Sequence, residues 1–180
     1  MPKDTYVPCL LRLFREYGYD GATLSKISQA TGLGKASLYH HFPGGKDEMV
    51  ETVLDYLERW STENILPALQ GEGDAVTRLT RMCLRLNELY EGGEQPCLFA
   101  ILQLGSARDV FHAKVKILLQ AWIDAIANVL VESGMEEELA WQKGEDAAIA
   151  IQGSLILSLG LDDPTPFERT IAQLPNQLCS

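Results

Sequence analysis

What this 180-residue chain lacks narrows it quickly. It has no unbroken apolar run of the ~20 residues that cross a bilayer. The longest candidate, residues 147–161, is interrupted by Gln152, Gly153 and Ser154. The four cysteines, Cys9, Cys83, Cys97 and Cys179, are scattered without the CxxC or Cys/His spacing of a metal site. No cofactor is therefore expected. Only three histidines are present, two of them adjacent, and no carboxylate pair or nucleophile–His arrangement recurs. His112 beside Asp109 is expected to be a surface pair, and an enzyme is not expected. The first residues, where Lys3 and Asp4 lead into an amphipathic run, do not form a secretory pattern. The expected location is cytoplasmic, without membrane contact and with reduced thiols. Cations are scarce as well: 15 Lys/Arg against 25 Asp/Glu give a net charge of −10. Spread evenly, that charge would repel a polyanion.

Strand alternation, internal repeats and low-complexity tracts are also missing, which leaves helices. The predicted fold is all-α, an N-terminal three-helix head plus a C-terminal helical bundle, with about nine helices. The first is expected over Lys3 or Asp4 to Tyr17, stopped by Gly18, with Pro8 delaying its regular start to near Val7. Further helices are expected at Ser25–Thr31, Lys35–Phe42, and from Lys46 or Asp47 to Leu66, where Pro67 marks the end. Behind these come Asp74–Tyr90, capped by Asp74, a short helix from Pro96 to about Ser106, and Asp109–Ser133. Glu136–Leu161 is the most apolar, and Pro164–Leu174 carries Phe167, Ile171 and Leu174 along one stripe.

The densest information lies between Thr23 and Met49. Thr23 is a good N-cap, and Ile27 and Ala30 are expected on one buried face. Gly32 supplies the left-handed backbone that ends the helix, with Leu33 dropping beneath the turn. In the next helix Leu38 and Phe42, four apart, face inward, leaving Lys35, Ala36, Ser37, Tyr39, His40 and His41 largely outward. A short helix, a glycine turn and a second helix bearing Lys, Ser, Tyr and His form a helix-turn-helix pattern. The charge division agrees: residues 1–50 carry +1 and the remainder −11. With a Debye length of ~8 Å at physiological salt, a distant acidic domain costs DNA binding little.

At the level of motif, the segment resembles the DNA-binding end of the tetracycline-repressor (TetR) family of transcriptional regulators. The resemblance rests on Phe14-Arg15-Glu16-Tyr17-Gly18-Tyr19 with Thr23, on Ile27 through Leu33, and on Lys35-Ala36-Ser37-Leu38-Tyr39-His40-His41-Phe42 ahead of Lys46. It is dense over the first fifty residues; beyond them only length and helical layout agree. It implies a DNA-binding domain at 1–46, a ligand-binding and dimerisation domain at 47–180, and Tyr39 and His40 at positions that contact the DNA backbone. Gly34 departs from the family pattern, which favours serine or threonine there.

The residues suit those roles. Small Ala36 lets the helix approach the major groove and meet a thymine methyl, Ser37 can bond a base edge, and Lys35 can reach guanine or phosphate. Tyr39 and His40, one turn on, can fix register on phosphates. His41 is expected to support the fold. Lys46 opposes the helix dipole by ~0.3–1 kcal/mol, a placement that makes sense with a phosphate between it and the helix end. Thr23 offers a hydroxyl shared between cap and phosphate.

One such head has few cations. Two or three phosphates per subunit would give a dimer a log–log salt slope of about −4 to −5. A homodimer on a palindromic double-stranded operator is the expected arrangement. Its interface is expected along residues 147–158, where small residues permit close approach, completed by the last helix around Phe167 and Ile171. The resemblance further implies an effector pocket in the bundle and a repressor that leaves its operator when a small molecule binds. Candidates to line the pocket are Trp60, Met82, Tyr90, Cys97, Phe99, Gln103 and Trp122. Few cations lie deep in these helices, which points to a mainly apolar effector. Cys97, after Pro96 at an expected helix N-terminus, offers an alternative as a thiol sensor of electrophiles. A ligand-independent DNA binder is the remaining alternative.

Overall fold

The computed structural model describes residues 3–180; Met1 and Pro2, the first residues of the expected head, lie outside the described residues. The described residues contain nine α-helices: α1 Val7–Gly21, α2 Leu24–Thr31, α3 Lys35–His41, α4 Gly45–Gln70, α5 Ala75–Leu89, α6 Leu98–Ile101, α7 Ala107–Glu132, α8 Glu137–Leu161 and α9 Thr165–Leu178. Two 3-10 turns, Lys3–Tyr6 and Glu91–Gly93, accompany them. The fold is all-α, as expected. Pro8 sits in the first turn of α1, where its missing N–H costs nothing, and Lys3–Tyr6 forms a tighter turn ahead of it. Gly18 breaks the helical backbone inside α1 (φ 65°, ψ −178°).

The chain divides into two compact units. The first comprises the chain up to Trp60 with Leu98–Val115. Its core is Leu10, Phe14, Ile27, Leu38, Phe42, Val53, Leu54 and Phe111, all essentially buried. At ~1.5–3 kcal/mol for each large apolar side chain, this burial holds the short helices that would be marginal alone. The second unit is Ser61–Cys97 with Lys116–Ser180. Here α8, α9 and α5 pack around Leu79, Met82, Ile151, Leu155, Phe167 and Leu174. Gly144 of α8 allows close approach to α7, because a Cβ there would stand 2.8 Å from the Ile123 carbonyl oxygen.

Besides α1, which runs past Gly18 to Gly21, three helices depart clearly from their expected bounds. Helix α4 does not stop before Pro67 but continues to Gln70. Proline removes one hydrogen bond, yet Ile65 and Leu69, four apart, are both buried, and that reward keeps the last turn. Arg78 donates to the Leu69 carbonyl, satisfying an acceptor the helix end leaves open, and Arg81 donates to that of Glu72 just beyond the helix. Helix α6 has four residues rather than about ten. Gln103 N–H bonds Ala100 O and Leu104 N–H bonds Ile101 O, both at 3.2 Å, so the chain tightens into turns up to Gly105. Finally, α9 passes through Pro175 to Leu178, whose side chain extends the buried stripe of Phe167, Ile171 and Leu174.

Candidate nucleic-acid interface

The head is built by local capping. Thr23 has extended backbone and its hydroxyl accepts from Lys26 N–H at 3.3 Å, the expected N-cap. Gly32 takes the left-handed conformation (φ 71°) that terminates α2. Hydroxyls staple the turn: Ser28 donates to Leu33 O at 2.5 Å, and Thr31 donates to Ile27 O at 2.7 Å while accepting from Leu33 N–H at 3.3 Å. Two packing expectations change. Ala30 is exposed, because the inward stripe of α2 is Leu24, Ile27, Ser28 and Thr31. Leu33 is half-buried rather than inserted in the core.

Gly34 caps α3 with extended backbone and no side-chain bond. From there α3 separates its residues cleanly. Leu38 is buried and Phe42, just beyond the helix, is fully buried, while Lys35, Ala36, Ser37, Tyr39 and His40 are all exposed. Tyr39 shows 43% of its surface, with one ring edge beside Gly45 at the start of α4. His41 is half-buried, with its ring 5.3 Å from that of Tyr6, and supports the fold. An open groove of about 570 Å³ beside the turn is lined by Ser25, Ser28, Gln29, Gly32, Gly34 and Lys35 among others. A polar, protruding first turn over an apolar anchor is what entry into a major groove requires.

At the start of α4 the arrangement is tighter than the sequence suggests. Glu48 accepts from Gly44 N–H at 2.7 Å and pairs with Lys3, and these bonds lower its carboxyl below the usual range. The Lys46 ammonium is half-buried, donates to the Tyr19 carbonyl at 2.8 Å and lies 4.1 Å from the Tyr19 ring centroid. Tyr19 was legible only as part of the motif; its bond to Lys46 spans 27 positions and leaves no local signal.

The bacterial tetR family of regulatory proteins matches residues 10–53, and the C-terminal domain typical of LmrA/YxaF-like transcriptional regulators matches residues 75–173. The chain belongs to the TetR family. It is a helix-turn-helix DNA-binding transcriptional regulator, not an enzyme. It is similar to YxaF of Bacillus subtilis (strain 168), an HTH-type transcriptional regulator, at 27% identity over 91% of this chain and 88% of that one. LmrA of the same organism is 26% identical over 98% and 96% of the two chains. Among solved structures, a TetR regulator from Legionella pneumophila superposes with TM-score 0.84 at 17% identity, over 98% and 97% of the chains. CifR, solved with a 26-bp double-strand operator, gives TM-score 0.76 at 16% identity, over 96% and 95%. These two likenesses show the shared fold.

The TetR assignment leaves the expected pocket residues to be placed. Trp60, Phe99 and Gln103 belong to the first unit and are half-buried. Met82, Tyr90, Cys97 and Trp122 belong to the second. Met82 is wholly buried and Tyr90 meets the Phe167 ring edge-on at 5.9 Å, both in core packing. Trp122 Nε1–H is buried without a hydrogen-bond partner, as is the Gln103 amide nitrogen. Gln103 Oε1 instead accepts from Arg108 at 3.2 Å and stands 2.9 Å from His112 Nδ1. His112 is exposed and its recorded partner is this glutamine, not Asp109. Cys97 is only 5% exposed and precedes a four-residue helix, whose dipole is weaker than that of the ten-residue helix expected there.

Among the described residues no group of His, Cys, Asp and Glu suits a metal ion, and no helix is long and apolar enough to cross a membrane. The expected interface on α8 divides in two. Ala147, Ile151, Ser154, Leu155 and Ser158 are buried within the chain, whereas Ile149, Ile156 and Leu157 are 69%, 65% and 55% exposed. On α9, Phe167 and Ile171 are buried within their own subunit, Phe167 against Tyr90 and Gly93.

Proposed function

We propose that this TetR regulator is a homodimeric repressor that binds a palindromic operator and leaves it when a small, mainly apolar molecule binds. The head at 1–46 reads DNA; residues 47–180 pair the subunits and bind the effector. The observation that carries the reading is α3, where Lys35, Ala36, Ser37, Tyr39 and His40 project above buried Leu38 and Phe42. Lys35, Ala36 and Ser37 contact base edges, while Thr23, Tyr39, His40 and Lys46 hold phosphates. CifR, which has the same fold, is solved with a 26-bp double-strand operator.

Pairing is supported by the exposed face of α8, where Ile149, Gly153, Ile156, Leu157 and Gly160 follow helical spacing. Three bulky apolar side chains alternating with glycines on one outward face suit a second copy of the same helix across a two-fold axis. Effector binding is supported by Trp122, whose unpartnered indole N–H costs about 1–3 kcal/mol unless an acceptor meets it. That favours a molecule that is mostly apolar but carries a hydrogen-bond acceptor.

Binding-site selection on the full chain tests the reading. Tyr39→Ala and Lys46→Ala should weaken all sequences alike, by about tenfold each, and Lys46→Ala, which removes a charge, should also flatten the salt dependence. Lys35→Ala and Ser37→Ala should also relax base preference at one position of each half-site, by about 1–3 kcal/mol of discrimination. Four variants with identical selected sequences and identical salt slopes would overturn the division of labour.

A further inference from the structure

We propose that Phe111 and Ser106 are positioning residues for the phosphate contact of Lys46, acting through Tyr19 and Asp20. The inference rests on the DNA-binding role just given to Lys46. That ammonium has three donors, and the Tyr19 carbonyl takes one of them at 2.8 Å. The ring of the same tyrosine, 4.1 Å from Nζ, fixes its position further. The remaining donors are available to an anion at the start of α4. Lys46 therefore points wherever Tyr19 sends it.

Tyr19 and Asp20 are in turn held by the segment Leu98–Val115 of the same unit. The edge of Phe111, a fully enclosed side chain, meets the Tyr19 ring at 5.6 Å and 67°. Ser106 donates its hydroxyl to one oxygen of Asp20 and its amide to the other at 3.3 Å. The approach is close: a Cβ on Gly105 would stand 2.6 Å from Asp20 Oδ2. On the α4 side, Tyr19 donates its hydroxyl to Asp47, and Lys114 pairs with Asp55. Burial and the Asp47 carboxylate raise the Tyr19 phenol to about 12, so it stays a donor, while the Ser106 bonds keep Asp20 ionised by lowering its carboxyl. Two consecutive residues are thus clamped by a segment some ninety positions away in sequence, and the lysine they steer lies at the start of α4. A shift of residues 98–115 would move Tyr19 and withdraw Lys46 without disturbing α3.

Fluorescence anisotropy on a selected operator duplex, over a salt series with the full-length protein, tests this. Lys46→Ala should reduce the log–log slope by about two for a dimer, one phosphate per subunit. Phe111→Leu and the milder Ser106→Ala should reduce it by one to two as well, and should weaken binding by less than twofold when placed on Lys46→Ala. Thermal melts confirm that each variant is folded, and Ser106→Ala carries the test if Phe111→Leu is not. Should both variants weaken wild type and Lys46→Ala by the same factor with an unchanged slope, their role is general stability and the inference fails. Should Lys46→Ala itself leave the slope unaltered, the phosphate role of Lys46 falls first, and the relay with it.

Discussion

Helices α3 and α8 each bury one stripe and expose another, but what they expose is opposite in kind. On α3 the outward residues are Lys35, Ala36, Ser37, Tyr39 and His40, polar or small and content in water. On α8 they include Ile149, Ile156, Leu157 and Leu161, all more than half exposed. A polar outward face says little about stability and much about chemistry, since it needs no cover. An apolar one is unfavourable until covered, so it speaks of assembly. The same amphipathic logic therefore supports the proposed DNA contact at one helix and the proposed subunit contact at the other.

The comparison breaks most decisively at α8. Leu157→Glu places a charge in each copy of the proposed seam, and symmetry doubles the effect. Losing ~1.5–3 kcal/mol of burial per subunit predicts dimerisation weakened by about 10²–10⁴-fold. Sedimentation velocity over a concentration series measures it, and operator affinity should collapse in step. A variant that stays dimeric at unchanged affinity places the interface elsewhere and leaves α8's exposed face without an explanation.

A subtler probe separates an open surface from a covered one. Gly153 has nothing within 4 Å of a built Cβ in the isolated chain. If α8 faced water there, Gly153→Ala would stabilise the protein by about 0.8–1 kcal/mol through helix propensity alone. A partner helix packed against that glycine reverses the sign at the interface, where overpacking costs ~1–3 kcal/mol. The expected result is a subunit that melts higher at low concentration yet dimerises about tenfold more weakly. Stabilisation with undiminished dimerisation would count against close packing at Gly153.

How much of this could be read from residues alone follows from the range of the interactions. The head was legible because its signals are local: Thr23 caps three residues on, Gly32 ends α2, and Leu38 and Phe42 share a face by spacing. Nine helices followed from periodicity in the same way. What escaped depends on competition between distant segments. Phe167 and Ile171 form a clean apolar stripe, and nothing in that stripe tells whether α5 or a second subunit will cover it. The buried pair Ile65 and Leu69 outweighs Pro67, and the turn into Gly105 shortens α6 to meet Asp20. Lys46 was recognised as misplaced against its helix dipole, but its partner Tyr19 lies 27 positions away.

The smallest effect returns to α3. Gly34 caps that helix in extended conformation, φ −68° and ψ 161°, with no side-chain bond and open space around a built Cβ. Serine fits there without strain, and its hydroxyl can accept from the first free amides of α3. Gly34→Ser should raise stability by a few tenths of a kcal/mol, seen as a shift of about 1–2 °C in Tm. The same hydroxyl, facing the DNA side of the turn, can add one neutral phosphate bond, strengthening operator binding about two- to fivefold. Because no charge is added, the salt slope should not change. A tighter complex with a steeper slope would mean the head had docked differently, and with it the assignment of outward residues on α3 would need revision.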